Sequence, residues 1–397
     1  MFLRVNWKSR CRWLIVGAWL LCAVSVGRGW CAAPAAATSI SYKQKAALAI
    51  RSLQTLYDQR SGLYNTTGWW NSANAITTLA DYARISGTSE FGPVFSNTFS
   101  AAQRKFPGFL NNYYDDEGWW ALAWIDAYDL TNDGQYLSMA KSIFADMAEG
   151  WDDTCSGGIW WSKDRKYKNA IANELFLSVA AHLASRAKNS HERQQYRAWA
   201  MREWRWFSRS GMIGADHLVN DGLDARCTNN HKTAWTYNQG VILGALAELS
   251  RATRNSALLP VAQSIAAAVL SSPVLVGANG VLHEPCEPDC GGDGSQFKGI
   301  FLRNLRSLDE TTPLPEYERF IFSNADSIWR GAREPDYRLG LSWSSPFGEA
   351  NASTQSSAAD ALVGAAEVET LRASRFYIAH YRNPCRQCQS YVVCGTE

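Results

Sequence analysis

Two kinds of helical pattern alternate along the chain. In "SYKQKAALAIRSLQTLY" (41–57), Ala46, Ala49, Ile50, Leu53 and Leu56 recur at helical spacing and leave Lys43, Lys45 and Arg51 to water, which predicts a helix with one wet face. "QQYRAWAMREWRWF" (194–207) does the same with Tyr196, Trp199, Ala200, Trp204 and Phe207. By contrast, "GWWALAWIDAYDL" (118–130), "NAIANELFLSVAAHLA" (169–184) and "YNQGVILGALAEL" (237–249) are apolar nearly all round. Each is too short, and too polar at its start, to span a bilayer, so protein must bury it on several sides. The periodicity predicts about twelve helices, near 41–57, 71–86, 89–105, 117–130, 133–149, 169–187, 190–209, 233–253, 256–271, 295–308, 314–331 and 353–380. Strand signals are scarce.

The loops that enter the buried helices share a chemistry. "GWWNSANA", "DDEGWWALA", "GGIWWSKDRKYKNA", "HKTAWTYNQG", "CGGDGSQFKG" and "GLSWSSPFGEANASTQ" each combine aromatic, glycine and hydrogen-bonding residues. Repeated entry of a buried helix paired with an amphipathic one predicts an all-α (α/α)6 barrel, an inner ring of helices inside an outer ring. An open helical solenoid is the competing arrangement. In either, the polar loops collect on one rim.

Composition narrows the classes. A hydrophobic fraction of 46% and a charged fraction of 19% are those of a globular protein. A net charge of +2 without long basic runs argues against a nucleic-acid partner. Arg4, Lys8, Arg10 and Arg12 precede an apolar run from Trp13 to Val26, about 14 residues against the ~20 a bilayer requires. With small residues following, residues 1–33 read as a signal peptide, residues 38–382 as the catalytic barrel and 383–397 as a cysteine-containing tail. The expectation is a secreted protein, extracellular or associated with a cell wall, with no stable membrane insertion. Its carboxyl terminus does not resemble a lipid-anchor tail. Past Cys11, Cys22 and Cys31 lie Cys155, Cys227, Cys286, Cys290, Cys385, Cys388 and Cys394, disulfide candidates of open connectivity. Asn65 and Asn351 head glycosylation sequons.

Candidate chemistry centres on "YYDDEGWWALAW" (113–124), where Asp115 and Asp116 stand side by side at the start of a buried helix. Adjacent buried carboxylates repel, which splits their ionisation and suits the acid and nucleophile of glycoside hydrolysis. The plain alternative is a helix cap with a favourable charge at the positive end of the dipole. "WDDTCSGGIWWSKD" offers a second pair, Asp152 and Asp153, and the residues alone do not choose between the two. "EPDCGGDGSQF" (287–297) resembles a calcium loop but lacks the ligand spacing of an EF-hand. The six histidines fall in no metal-site spacing, and esterase, Walker and dinucleotide motifs are missing from the sequence. No metal or cofactor is therefore expected.

"GWWNSANAITTLADY", "YYDDEGWWALAWIDAYDLT", "GGIWWSKDRKYKNAIANELFL", "TYNQGVILGALAEL" and "GSQFKGIFLRNL" run in order through the chain. Together they resemble glycoside hydrolase family 76, the α-1,6-mannanases and their fungal cell-wall relatives. The resemblance implies an (α/α)6 barrel and a retaining mechanism, with Asp115 as nucleophile and Asp116 as general acid/base. Asp152 and Asp153 would line the cleft. Trp69, Trp70, Asn74, Trp119, Trp120, Trp160, Trp161, Asn173, Tyr237, Asn238 and Gln239 are candidate contacts to an α-mannan polysaccharide or oligosaccharide, aromatics for stacking and amides for hydroxyls. The expected activity is endo-α-1,6-mannanase. A transglycosylase on cell-wall mannan or glycolipid anchors, and a non-catalytic mannan-binding protein, are the alternatives.

Overall fold

A computed structural model of the chain describes residues 40–344 and 346–381. The signal peptide, the cysteine tail and Cys385, Cys388 and Cys394 lie outside the described residues.

Thirteen helices occur among the described residues: α1 (Tyr42–Gln54), α2 (Trp69–Ser86), α3 (Gly92–Ala101), α4 (Tyr114–Thr131), α5 (Gly134–Glu149), α6 (Ala170–Arg186), α7 (Ser190–Phe207), α8 (Thr236–Thr253), α9 (Leu259–Ser271), the single turn α10 (Gly291–Gly294), α11 (Phe297–Thr311), α12 (Pro315–Gly331) and α13 (Ala352–Tyr381). One two-stranded antiparallel hairpin, Tyr57–Asp58 with Leu63–Tyr64, accompanies them. Local chemistry sets many boundaries. Ser41 and Gln44 form a capping box on α1, Asn169 caps α6 through the Ala172 amide, and Asn189 caps α7 through that of Glu192. Proline sits in the first turn of α3, α9 and α12, where its missing N–H costs nothing.

α2, α4, α6, α8, α11 and α13 pack in succession, and α13 returns to α2. The ring therefore closes, which decides for the (α/α)6 barrel over an open solenoid. α1, α5, α7, α9 and α12 pack on the outside of this ring. The hydrophobic pattern foretells the division: α6 and α8 are buried along almost their whole length, whereas α7 buries only one stripe. Two glycines allow the inner helices to touch. A Cβ on Gly240 would stand 2.5 Å from the Phe301 Cα, and one on Gly299 would stand 2.4 Å from the Ser357 carbonyl oxygen. Only glycine admits so close an approach of α8 to α11 and of α11 to α13.

Because a helix (α3, α5, α7, α9 or α12) intervenes between each inner helix and the next, the inner helices run the same way. Their amino-terminal ends share one rim with the loops singled out by sequence. Deeper along the helices lie ion pairs instead: Arg186 with Asp129, Arg303 with Asp360, and Arg306 with Asp81 and Glu367. No helix among the described residues is long and apolar enough to cross a membrane.

Candidate active site

Helix α4 begins three residues earlier than periodicity predicts, and this decides how the aspartate pair is held. Tyr113 occupies the cap position without a side-chain cap bond, so Asp115 and Asp116 lie inside the first turn rather than capping it. The Asp115 carboxylate accepts two hydrogen bonds, from the Asp116 amide (3.0 Å) and from Trp161 Nε1 (2.8 Å). Asp116 accepts one, from Asn111 Nδ2 at 2.6 Å. Asn111 is itself fixed, since its amide donates to Glu117 (3.2 Å) and its side-chain oxygen accepts from the Tyr113 amide (2.8 Å). Glu117 is fully buried and paired with Lys163 at 2.9 Å, and burial lifts its carboxyl to about 8.

Around the pair lies a cleft of about 210 Å³ on the amino-terminal rim of the barrel. One wall is aromatic: Trp70 from α2 stacks on Trp119 of α4 at 5.7 Å and on Phe297 of α11 at 6.2 Å, and Phe297 stacks on Tyr237 of α8 at 3.8 Å. The opposite wall comes from two long loops. Residues 151–168 supply Trp161 and Tyr167, and this loop is tied to the start of α4 by the Tyr114 amide donating to the Trp161 carbonyl at 2.9 Å. Residues 208–235 supply Asp221, which accepts from the Tyr167 hydroxyl, while its carbonyl accepts from the Ala170 amide at 2.8 Å. The disulfide Cys155–Cys227 joins the two loops.

Burial, first of all, pushes both aspartates above the ordinary carboxylate range. Asp116 rises to about 6, with Asn111 and Lys105 opposing the rise and Asp293 adding to it. Asp115 goes well above its usual value, through burial and then repulsion from Asp116, while its bonds to Trp161 and the Asp116 amide pull the other way. Two such groups share a proton near neutral pH. The arrangement can therefore present one carboxylate and one carboxylic acid to a sugar lying on the aromatic wall.

The family model for glycosyl hydrolase family 76 matches residues 41–374. The chain belongs to that family. Among relatives, it is 25% identical over 307 residues to the mannan endo-1,6-alpha-mannosidase DCW1 of Eremothecium gossypii, covering 69% of this chain and 66% of that one. It is 26% identical over 289 residues to the protein of the same name from Saccharomyces cerevisiae, covering 66% of this chain and 62% of that one. The chain thus spans just under two thirds of the length of these curated relatives. Among solved structures, the GH76A alpha-1,6-mannanase from Salegentibacter sp. HEL1_6 superposes with a TM-score of 0.75 at 25% identity, covering 83% of this chain and 100% of that one. An inactive variant of that mannanase, changed at two consecutive aspartates, has been solved with alpha-1,6-mannotetrose (TM-score 0.76, 24% identity, 83% and 100% covered).

Of the residues picked from sequence, the family 76 cleft gathers Asp115, Asp116, Trp70, Trp119, Trp161 and Tyr237. It does not gather the others. Trp69 and Trp120 sit 4.8 Å apart in a buried aromatic cluster with Phe109, because a double tryptophan at a helix start points one ring to the cleft and the next to the core. Asn74 is bonded to Arg303, Asn173 to the Ile159 backbone and Gln239 to the Val219 backbone. Asn173 and Gln239 fasten loops to inner helices, and Asn74 ties α2 to α11. Asn238 is buried with both amide atoms unbonded.

The second aspartate pair is likewise not at the cleft. Asp152 accepts from Lys168 at 2.9 Å and from Trp160 Nε1 at 2.7 Å, and despite partial burial these partners hold its carboxyl down at about 2. Asp153 lines a separate surface groove beside Trp151 and Trp206. Tyr167, Asn169, Asp221, Asp293 and Phe297 also line the cleft. Tyr167, Asn169 and Phe297 fall within quoted motifs, and Asp293 lies in the segment that resembles a calcium loop. Asp221 sits in a loop without periodicity, where nothing in the pattern marks it.

Proposed function

We propose that the protein is a secreted, retaining endo-α-1,6-mannanase whose chemistry is carried by Asp115 and Asp116. The observation that supports this most is the consecutive buried aspartate pair, lifted above ordinary acidity and set against a stacking wall of Trp70, Trp119, Phe297 and Tyr237 in a family 76 barrel. The two curated relatives are named as mannan endo-1,6-alpha-mannosidases, and the Salegentibacter relative as an alpha-1,6-mannanase.

In the first step, Asp115 attacks the anomeric carbon as the glycosidic bond breaks, and Asp116 gives its proton to the departing oxygen. In the second, Asp116 takes a proton from water, whose oxygen displaces Asp115 from the sugar. Burial favours a proton on Asp115 in the empty cleft, whereas its two hydrogen-bond donors favour the carboxylate. The family resemblance gives Asp115 the nucleophile's role, and the donors Trp161 and the Asp116 amide support its carboxylate in that role. Asp116, with a single donor and a carboxyl near 6, is suited to give and take a proton in mildly acidic to neutral solution.

Mass spectrometry of products from unbranched α-1,6-mannan tests the reading. Wild type is expected to release short mannose oligomers, and Asp115→Asn and Asp116→Asn to release none on the same timescale. An uncut polymer with wild type, or unaffected cleavage by both variants, contradicts it.

A further inference from the structure

The turn that follows the disulfide Cys286–Cys290 brings a further carboxylate to the cleft. Asp293, in α10, accepts a hydrogen bond from Trp70 Nε1 at 2.8 Å and lines the cleft together with Asp116. The turn is tied down on both sides. Asn71 Nδ2 donates to the Gly292 carbonyl at 3.5 Å, and Gly294 lies so close to the disulfide that a Cβ there would meet the Cys290 Cβ at 2.9 Å and the Cys286 Sγ at 3.0 Å. α11 follows at once and carries Phe297, which stacks on both Trp70 and Tyr237.

We propose that Asp293 is a positioning residue for the α-1,6-mannanase reaction: it fixes the Trp70 ring as a sugar platform and sets a further carboxylate in the same cleft as Asp116. This rests on the function proposed above. Three groups act on the Asp116 carboxyl besides its burial: Asn111 from the preceding loop and Lys105 stabilise its charged form, and Asp293, in the lining of the same cleft, opposes them. Removing that charge leaves Asn111 and Lys105 to act on Asp116 without this opposing influence, so the general acid gives up its proton at lower pH.

Asp293→Asn separates the two roles, because the amide oxygen can still accept from Trp70 Nε1 while the charge is gone. The pH profile of kcat/KM on α-1,6-mannan is expected to lose its alkaline limb about half a pH unit earlier, roughly a threefold change in proton affinity. KM should stay close to that of wild type. The displacement should shrink at high ionic strength, since Asp293 is exposed and its field is screened by salt. Asp293→Ala is expected to show the same limb together with a severalfold higher KM, readable independently as weaker quenching of tryptophan fluorescence by α-1,6-mannotetraose. A merely structural role would lower kcat at every pH and leave the limb in place, and that outcome in Asp293→Asn at low salt overturns the proposal. Wild type that cleaves no mannan at any pH overturns the function itself, whereas an active wild type with an unmoved limb overturns only the role of Asp293.

Discussion

Glu174 shows how strongly burial governs individual acids in this barrel. It lies on the inner helix α6, fully buried, with neither carboxyl oxygen hydrogen-bonded, and burial alone pushes its carboxyl well above the ordinary range. The folded protein keeps it neutral where the unfolded chain, near pH 4.3, already ionises it. Above that pH the folded state holds more protons than the unfolded one, so stability falls as pH rises. Glu174→Gln is therefore expected to be more stable than wild type at pH 8, with the difference fading by about pH 4, as chemical unfolding at several pH values would show. Equal pH dependence in the two proteins contradicts that account. At this scale the sequence is partly legible. Asp115 and Asp116 stand out because two adjacent charges at the start of an apolar helix need a reason. Trp69 and Trp120 do not separate from Trp70 and Trp119 by any pattern, since neighbouring rings on a helix differ by about 100° in direction, and only packing shows which faces the core.

Elements supply the next level of control, above all the loop between α5 and α6. Its conformation is organised by one buried lysine. Lys168 is 2% exposed and donates to Asp152, to the Thr154 and Gly157 carbonyls at 2.7 Å, and to the Gly158 carbonyl at 2.9 Å. In Lys168→Met each of these acceptors loses this donor, although Asp152, partly exposed, keeps Trp160 Nε1. Leaving buried carbonyls without a donor costs about 1–3 kcal/mol. Lys168→Met should show that loss in equilibrium unfolding, and should also weaken binding of α-1,6-mannotetraose, because the same loop holds Trp161 against Asp115. A variant with wild-type stability contradicts the role given to Lys168. Helix positions were legible because apolar spacing and polar entry loops mark them. The loops were not, since Lys168 to Gly157 and Asn173 to Ile159 are contacts across a turn that no periodicity announces.

Closure of the ring is a property of the whole molecule. Alternating wet-faced and buried helices tell inner from outer along the chain, but the return of α13 to α2 joins segments nearly three hundred residues apart, and sequence spacing carries no sign of it. Once the ring closes, its parallel inner helices place their amino-terminal ends together, and with them the positive ends of their dipoles, under a cleft whose working groups are acidic. That geometry brings Asp115 on α4, Trp70 on α2, Tyr237 on α8 and Phe297 on α11 to one sugar-sized space. The central claim is that Asp115 bonds covalently to the sugar during cleavage. Incubation with a slowly turning over, fluorinated α-mannosyl donor, followed by peptide mass mapping, tests it most directly. The account predicts one mannosyl adduct, on Asp115, absent from Asp115→Asn and slow to form in Asp116→Asn. An adduct on Asp116, or cleavage of mannan with no adduct on either aspartate, would contradict it.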